Sequence, residues 1–178
     1  HMAHGYLLHQ FLSPISNLRN DEFGNNLINR LSVPLKIAKI IRKIWPKNKI
    51  LGARITATDH LPGGINLKES IFLVKKLEEI GFDYVCVSSG GILPKTNLKF
   101  RKGFRTNLSK KIKQKTSIIT GVTGLITDLN QANKIIRENS ADLIAIGRTF
   151  IKDPMWIYKA AKASNKTEII PPQYIRGM

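Results

Sequence analysis

The chain has 178 residues, 42% of them hydrophobic, and carries 29 lysines and arginines against 12 aspartates and glutamates, a formal charge of +17. This length and apolar content suit one globular domain with a sizeable core and exclude a disordered composition; no apolar run approaches the roughly 18 residues of a membrane span, and the first residues lack the order of a signal peptide, so the reading is of a cytoplasmic protein. The single cysteine, Cys86, excludes an internal disulfide and, within the apolar run 84–87, reads as a core residue.

The chain opens on His1, His4 and Tyr6, two imidazoles and a phenol within six residues, and then turns at Ser13-Pro14. That is a proton-handling cluster, and a site that begins at the first residue implies further protein ahead of it. Over 27–45 the helical pattern is interrupted by Pro34, which cannot donate a backbone hydrogen bond and would kink a helix running through it. Ser32 could instead cap a helix starting at Val33, and Pro46 ends the element in either case. The first apolar run, 50–55, contains Arg54, a cation whose burial is costly unless an anion or polar partner meets it. A helix is predicted over 67–80, with Ile71, Val74, Leu77 and Ile80 on one face and Gly81 as its stop.

A second apolar run, 84–87, leads to Gly90 and Gly91. Between Asp83 and Asp128 there is no carboxylate, and nine cations crowd the gap: Lys95, Lys99, Arg101, Lys102, Arg105, Lys110, Lys111, Lys113 and Lys115. A patch of this kind neutralises phosphates or is simply a solvated lysine-rich face, and only Phe100 and Phe104 interleave it. A short helix over 106–112, capped by Thr106 or Asn107, precedes the third apolar run, 118–122, which ends near Gly121 and Gly124. Asp128 suits the N-cap of a helix over 128–139, with Ala132, Ile135 and Ile136 inward. The fourth apolar run, 143–146, is followed by Gly147-Arg148. Asp153-Pro154 opens a last helix through Ala163, and 165–178 reads as a tail with two prolines.

The four runs are short and unalternating, as suits strands covered on both faces of a parallel sheet. Their starts lie 25 to 34 residues apart, the size of consecutive right-handed βαβ units. No Gly-x-Gly-x-x-Gly turn follows the first strand, so a barrel is preferred over a doubly wound sheet. A complete (β/α)8 TIM barrel takes about 250 residues, so four βα units correspond to the C-terminal half of one.

The sequence His1-x-Ala3-His4-Gly5-Tyr6-Leu7-Leu8-x-Gln10-Phe11-Leu12-Ser13-Pro14, with Asn17-x-Arg19-x-Asp21-Glu22-Phe23-Gly24 and Asn29-Arg30, resembles the signature of the old yellow enzyme family. Arg54, Ser88-Ser89-Gly90, Thr120-Gly121, Ile146-Gly147-Arg148 and Gln173-Tyr174-x-Arg176-Gly177 fall in the family's order, closest to its thermophilic-like bacterial branch. The stretch Gly24-Asn25-Asn26 departs from it, where paired glycines and a glutamate are usual. The resemblance covers 1–178 and corresponds to the second half of an FMN-binding barrel, with 1–32 as active-site loop and the start of a helix. It implies an FMN-dependent, NADPH-driven reductase of carbon-carbon double bonds conjugated to carbonyl or nitro groups: an ene-reductase acting on an enone, enal or nitro compound.

Hydride delivery to such a bond builds enolate charge on the carbonyl oxygen, so donors placed there stabilise the transition state above the ground state. The resemblance gives that role, and substrate binding, to His1 and His4, and gives Tyr6 the part of the acid that protonates the other carbon. A metal site would need more than histidines three apart, and neither His9 nor His60, read as surface or loop residues, completes a ligand spacing. For Tyr6 the alternative is packing at the barrel rim; for Arg54, a buried ion pair. The resemblance places Arg54 at the flavin pyrimidine; Gly121, Gly124 and Gly147, after the last two strands, permit close backbone approach where barrels commonly hold phosphate, and Arg148 would add charge-assisted bonds to the FMN phosphate. Arg176 would bind substrate by reaching into a neighbouring subunit, which implies a homo-oligomer. A noncatalytic basic half barrel that binds phosphate or nucleic acid is the competing reading.

Overall fold

The computed structural model describes all residues except Lys95, Thr96, Asn97, Lys99 and Met178. Four parallel strands, β1 (Gly52–Thr56), β2 (Tyr84–Ser88), β3 (Ile119–Val122) and β4 (Leu143–Ile144), pair in chain order. Sequential parallel order without reversal is the arrangement of a barrel wall rather than of a doubly wound sheet. The four strands, each followed by helix, make the α/β half barrel that the spacing of the apolar runs predicts. β4 is shorter than expected, because only Gly121 and Val122 of β3 offer it partners. Residues 1–3 extend the sheet at its other edge: Met2 bridges Ile55 in parallel, and its N–H donates to the Arg54 carbonyl at 2.8 Å.

One face of the sheet is dry. Ala53, Ile55, Val85 and Val87 are buried against Leu31 and Ala38 of α2 (Leu27–Ile44), Leu73 and Leu77 of α3 (Leu67–Ile80) and Ile112 of α4 (Thr106–Lys113). Burial at about 25 cal/mol per Å² of apolar surface makes this cluster the main source of cohesion. The register aligns Arg54, Cys86, Gly121 and Leu143 across the opposite, concave face, where Ile119 and Leu143 remain 47% and 49% exposed. Cys86 therefore stands half-buried beside the Arg54 position, not in the helix-covered core, because strand side chains alternate faces.

Local chemistry explains the helices. α3 starts at a capping box, Asn66 with Glu69, and stops at Gly81 in the left-handed conformation (φ 94°), as the sequence predicts. α5 (Leu129–Arg137) is capped by Asp128, which accepts from the Gln131 N–H at 2.8 Å. α4 departs from expectation in having Arg105 at its N-cap with no side-chain cap. α2 departs further: it runs unbroken through Pro34 from an N-cap at Asn26, not from Ser32. Pro34 costs a helix interior about 3 kcal/mol, which the burial of Leu31, Pro34 and Ala38 against the sheet side offsets. Ser32 donates instead to the Asn29 carbonyl at 2.6 Å.

Short helices α1 (Leu7–Leu12) and α6 (Arg148–Lys152) have no counterpart in the sequence reading. The last predicted helix begins later than Pro154, as α7 (Trp156–Ala163), with Asp153 accepting from the Met155 N–H at 3.2 Å. In the tail, a 3-10 turn (Thr167–Ile169) and α8 (Pro172–Ile175) return toward α7, where Tyr174 stacks on Tyr158 at 5.6 Å between ring centroids.

Candidate active site

Parallel strands place all their C-terminal ends at one mouth, where His1, His4, Tyr6, Arg54 and Arg148 are brought together, while Gly121 and Arg176 are not. His4 sits in the left-handed region (φ 59°), followed by Gly5 at φ 76°. Its backbone N–H donates to Thr56 Oγ1 at 3.2 Å, at the end of β1, and its Nε2 lies 2.8 Å from Ser88 Oγ, at the end of β2. His1 stacks toward His4 at 6.0 Å between ring centroids and meets Tyr6 edge-on at 5.2 Å. Tyr6 is 64% exposed at the mouth, not packed into the rim. Burial, together with the nearby Arg54 and Arg105 cations, pushes the His4 imidazole down to about 4, so it is neutral at physiological pH.

This loop rests on a buried polar scaffold that sequence reasoning missed. His9, read as a surface residue, is fully buried, as is Asp59. The Gly5 N–H donates to His9 Nδ1 at 2.9 Å, which leaves the ring proton on Nε2, 3.0 Å from Asp59 Oδ1 at ion-pair distance though off the line of a well-formed hydrogen bond. Asp59 Oδ2 accepts from Ser13 Oγ at 2.6 Å and from the Ile65 N–H at 2.8 Å. Burial pushes the Asp59 carboxyl up, but the donors His9, Ser13 and Ile65 together hold it below the ordinary carboxylate value. The available signal was the position of Thr58-Asp59 just past the end of a parallel strand. His60 is half-buried beside Gly90, and burial with the nearby Arg105 lowers its pKa.

A cleft of about 300 Å³ opens at the same mouth, lined by Arg54, Arg105, the 123–127 loop and the 145–149 segment that includes Gly147 and Arg148. Among the described residues nothing lies within 4 Å of where a Gly147 Cβ would stand. Gly121 lies within β3 on the concave face, outside the residues lining the cleft; Gly124 (φ 137°) lines it instead. Arg176 is exposed at the end of α8 and does not line the cleft. Among the described residues the buried Arg54 Nε has no hydrogen-bond partner, so the buried ion pair considered for it does not engage that atom.

Of the nine cations in the basic stretch, Lys95 and Lys99 lie outside the described residues. Lys102 pairs with Asp128 at 3.1 Å, Lys113 pairs with Asp142, and Arg105 turns into the cleft. Phe100 and Phe104 pack on each other edge-to-face at 5.4 Å, so the stretch does not present them as a pair of parallel stacking platforms for bases. Among the described residues no group of three or more His, Cys, Asp or Glu could hold a metal ion, and no helix is long and apolar enough to cross a membrane.

Residues 1–167 match the NADH:flavin oxidoreductase / NADH oxidase family. The chain belongs to it. An NADPH dehydrogenase of Clostridium acetobutylicum is 36% identical over 178 residues, which is 99% of this chain and 52% of the relative. This chain thus spans about half the length of the curated relatives it matches. A 2-naphthoyl-CoA reductase structure superposes with a TM-score of 0.82 at 26% identity, over 95% of this chain and 26% of that one. The old yellow enzyme homologue of Zymomonas mobilis superposes at 0.72 with 20% identity, over 92% of this chain and 45% of that one, a likeness of fold. The family is one of FMN enzymes, and the cleft fits a flavin nucleotide: among the described residues it offers three guanidiniums, a buried Arg54 Nε without a partner, and no lining carboxylate.

Proposed function

We propose that the chain forms the substrate-facing and phosphate-holding half of an NADPH-dependent FMN oxidoreductase that reduces activated carbon-carbon double bonds. The observation that carries this reading is the convergence of the His1, His4 and Tyr6 cluster with the Arg54, Gly147 and Arg148 cleft at one mouth of the sheet. Arg148 and the open backbone at Gly147 would hold the FMN phosphate, and Arg54 the pyrimidine edge. When bound, FMN reduced by NADPH supplies a hydride to the β-carbon of an enone, enal or nitroalkene.

The chain's own residues do the rest. Imidazole N–H groups donate hydrogen bonds, and the neutral His4 does so without bringing a charge that would have to be desolvated, so His1 and His4 suit the oxygen on which negative charge develops. His1 is open to a ligand, whereas His4 exchanges its Ser88 partner for that oxygen. Tyr6 delivers the phenolic proton to the α-carbon, completing reduction of the bond, and regains a proton from solvent at the exposed mouth. Arg176 does not line the cleft of its own chain; its role would be in the pocket of a neighbouring copy, in a homo-oligomer.

The test is FMN titration followed by oxidation of the reduced flavin with 2-cyclohexenone. Tyr6→Phe should leave FMN affinity unchanged and slow that oxidation about 10²- to 10⁴-fold. Equal rates overturn the role of Tyr6, and a protein that binds no FMN overturns the reading as a whole.

A further inference from the structure

Arg105 belongs to the basic stretch in sequence, yet the structure builds it into the cleft. Its Nε donates to Ser89 Oγ at 3.0 Å and its Nη2 to the Ser89 carbonyl at 2.8 Å. The guanidinium carbon lies 4.3 Å from the centroid of the Phe104 ring. Gly124 approaches so closely that a Cβ there would stand 3.1 Å from Phe104 and 3.4 Å from Arg105. The Gly103 N–H donates to the Gly124 carbonyl at 2.9 Å and ties the Arg105 loop to the cleft wall. A side chain fixed by two hydrogen bonds, a ring and a backbone is not a solvated surface cation.

Fixing it there places three like charges, Arg54, Arg105 and Arg148, around about 300 Å³ that no carboxylate lines among the described residues. The strain shows in its acidity: burial, then repulsion from Arg54 and Arg148, lowers Arg105 to about 10. Such a cluster is relieved by an anion of more than one charge.

We infer that Arg105 is a binding residue that makes this cleft selective for a phosphate monoester dianion, supplementing Arg148 and discriminating FMN from its uncharged counterpart riboflavin. The inference deepens the flavin reading and rests on it for the identity of the ligand. A charge-assisted contact of this kind is worth about one to two orders of magnitude in affinity.

The experiment compares FMN, riboflavin and inorganic phosphate on the wild-type chain, R105Q and R105K by calorimetry. R105Q should weaken FMN roughly 10- to 100-fold and leave riboflavin within about twofold, while R105K, keeping the charge without the fork, falls between. Undiminished FMN binding by R105Q, or equal weakening of FMN and riboflavin, overturns the inference while leaving the flavin reading standing. If neither flavin binds but phosphate does, and R105Q loses phosphate, the flavin reading fails and Arg105 keeps its role. Should R105Q not fold, the Arg105 Nε–H resonance of the wild-type protein decides: it must move on adding phosphate, and its constancy overturns the inference.

Discussion

Asp59→Asn tests whether a buried carboxylate holds the N-terminal loop that carries His4 and Gly5. The asparagine can keep its oxygen toward Ser13 and the Ile65 N–H, which puts its NH2 group against His9 Nε2. Two donors then face each other in a site with no solvent exposure. His9 cannot escape by moving its proton to Nδ1, because that nitrogen accepts the Gly5 N–H. The variant loses one charged contact and leaves one buried donor unpaired, together about 2–4 kcal/mol. For a chain of this size that lowers Tm by roughly 5–15 °C. Circular dichroism melting measures the loss, and nitrogen NMR of the imidazoles reads the tautomer directly. A variant with unchanged Tm, or one in which the His9 proton has moved to Nδ1, would refute the reasoning, since the pair in the first case and its link to Gly5 in the second would then be absent.

Other outcomes follow from the same geometry. The His4 pKa of about 4 lies below the value of 6.5 for an exposed histidine, so the unfolded chain binds the extra proton between them. Stability should therefore fall as pH drops from 6.5 toward 4, and the His4 ring protons should show no titration above about pH 5 by NMR. The depressed Asp59 carboxyl adds a loss at lower pH: its stabilisation is full above the unfolded value of 3.8 and disappears as pH falls through the lower folded one, visible as a steep acid limb in urea midpoints. Arg30→Met removes the donor that binds the Leu12 carbonyl at 2.8 Å and Glu69 Oε1 at 2.6 Å, leaving Glu69 only its capping-box bond to the Asn66 N–H, and should cost about 2–4 kcal/mol in urea unfolding. Gly91→Ala forces a Cβ to within 2.8 Å of His4 Cα at φ 93°, so differential scanning calorimetry should show a loss of about 2–4 kcal/mol.

The barrel wall was legible because it rests on local signals. Unalternating apolar runs and their spacing gave the strands, and Asn66, Gly81 and Asp128 marked helix ends by side-chain chemistry that acts within four residues. The N-terminal cluster was legible for a different reason: its residue types and spacing are a family motif. What escaped were contacts made at a distance. Pro34 inside α2 is tolerated only because tertiary burial outweighs a local penalty. His9 and Asp59 are 50 residues apart and look like ordinary polar residues until the fold joins them. Arg105, one of nine cations in a carboxylate-free stretch, differs from the others only by where Ser89 and Phe104 hold it.

Gly5 and Gly91 interlock. A Cβ on Gly5 would stand 2.6 Å from the Gly91 carbonyl oxygen, and one on Gly91 would strike His4. Any attempt to reshape the pocket by mutagenesis therefore meets two positions that tolerate no enlargement singly, and replacing both at once only compounds the collision. Diversity introduced at Tyr6 or His1, whose side chains project outward, leaves this clasp closed. Laboratory evolution of new selectivity should accordingly accumulate its substitutions around the clasp and leave both glycines untouched.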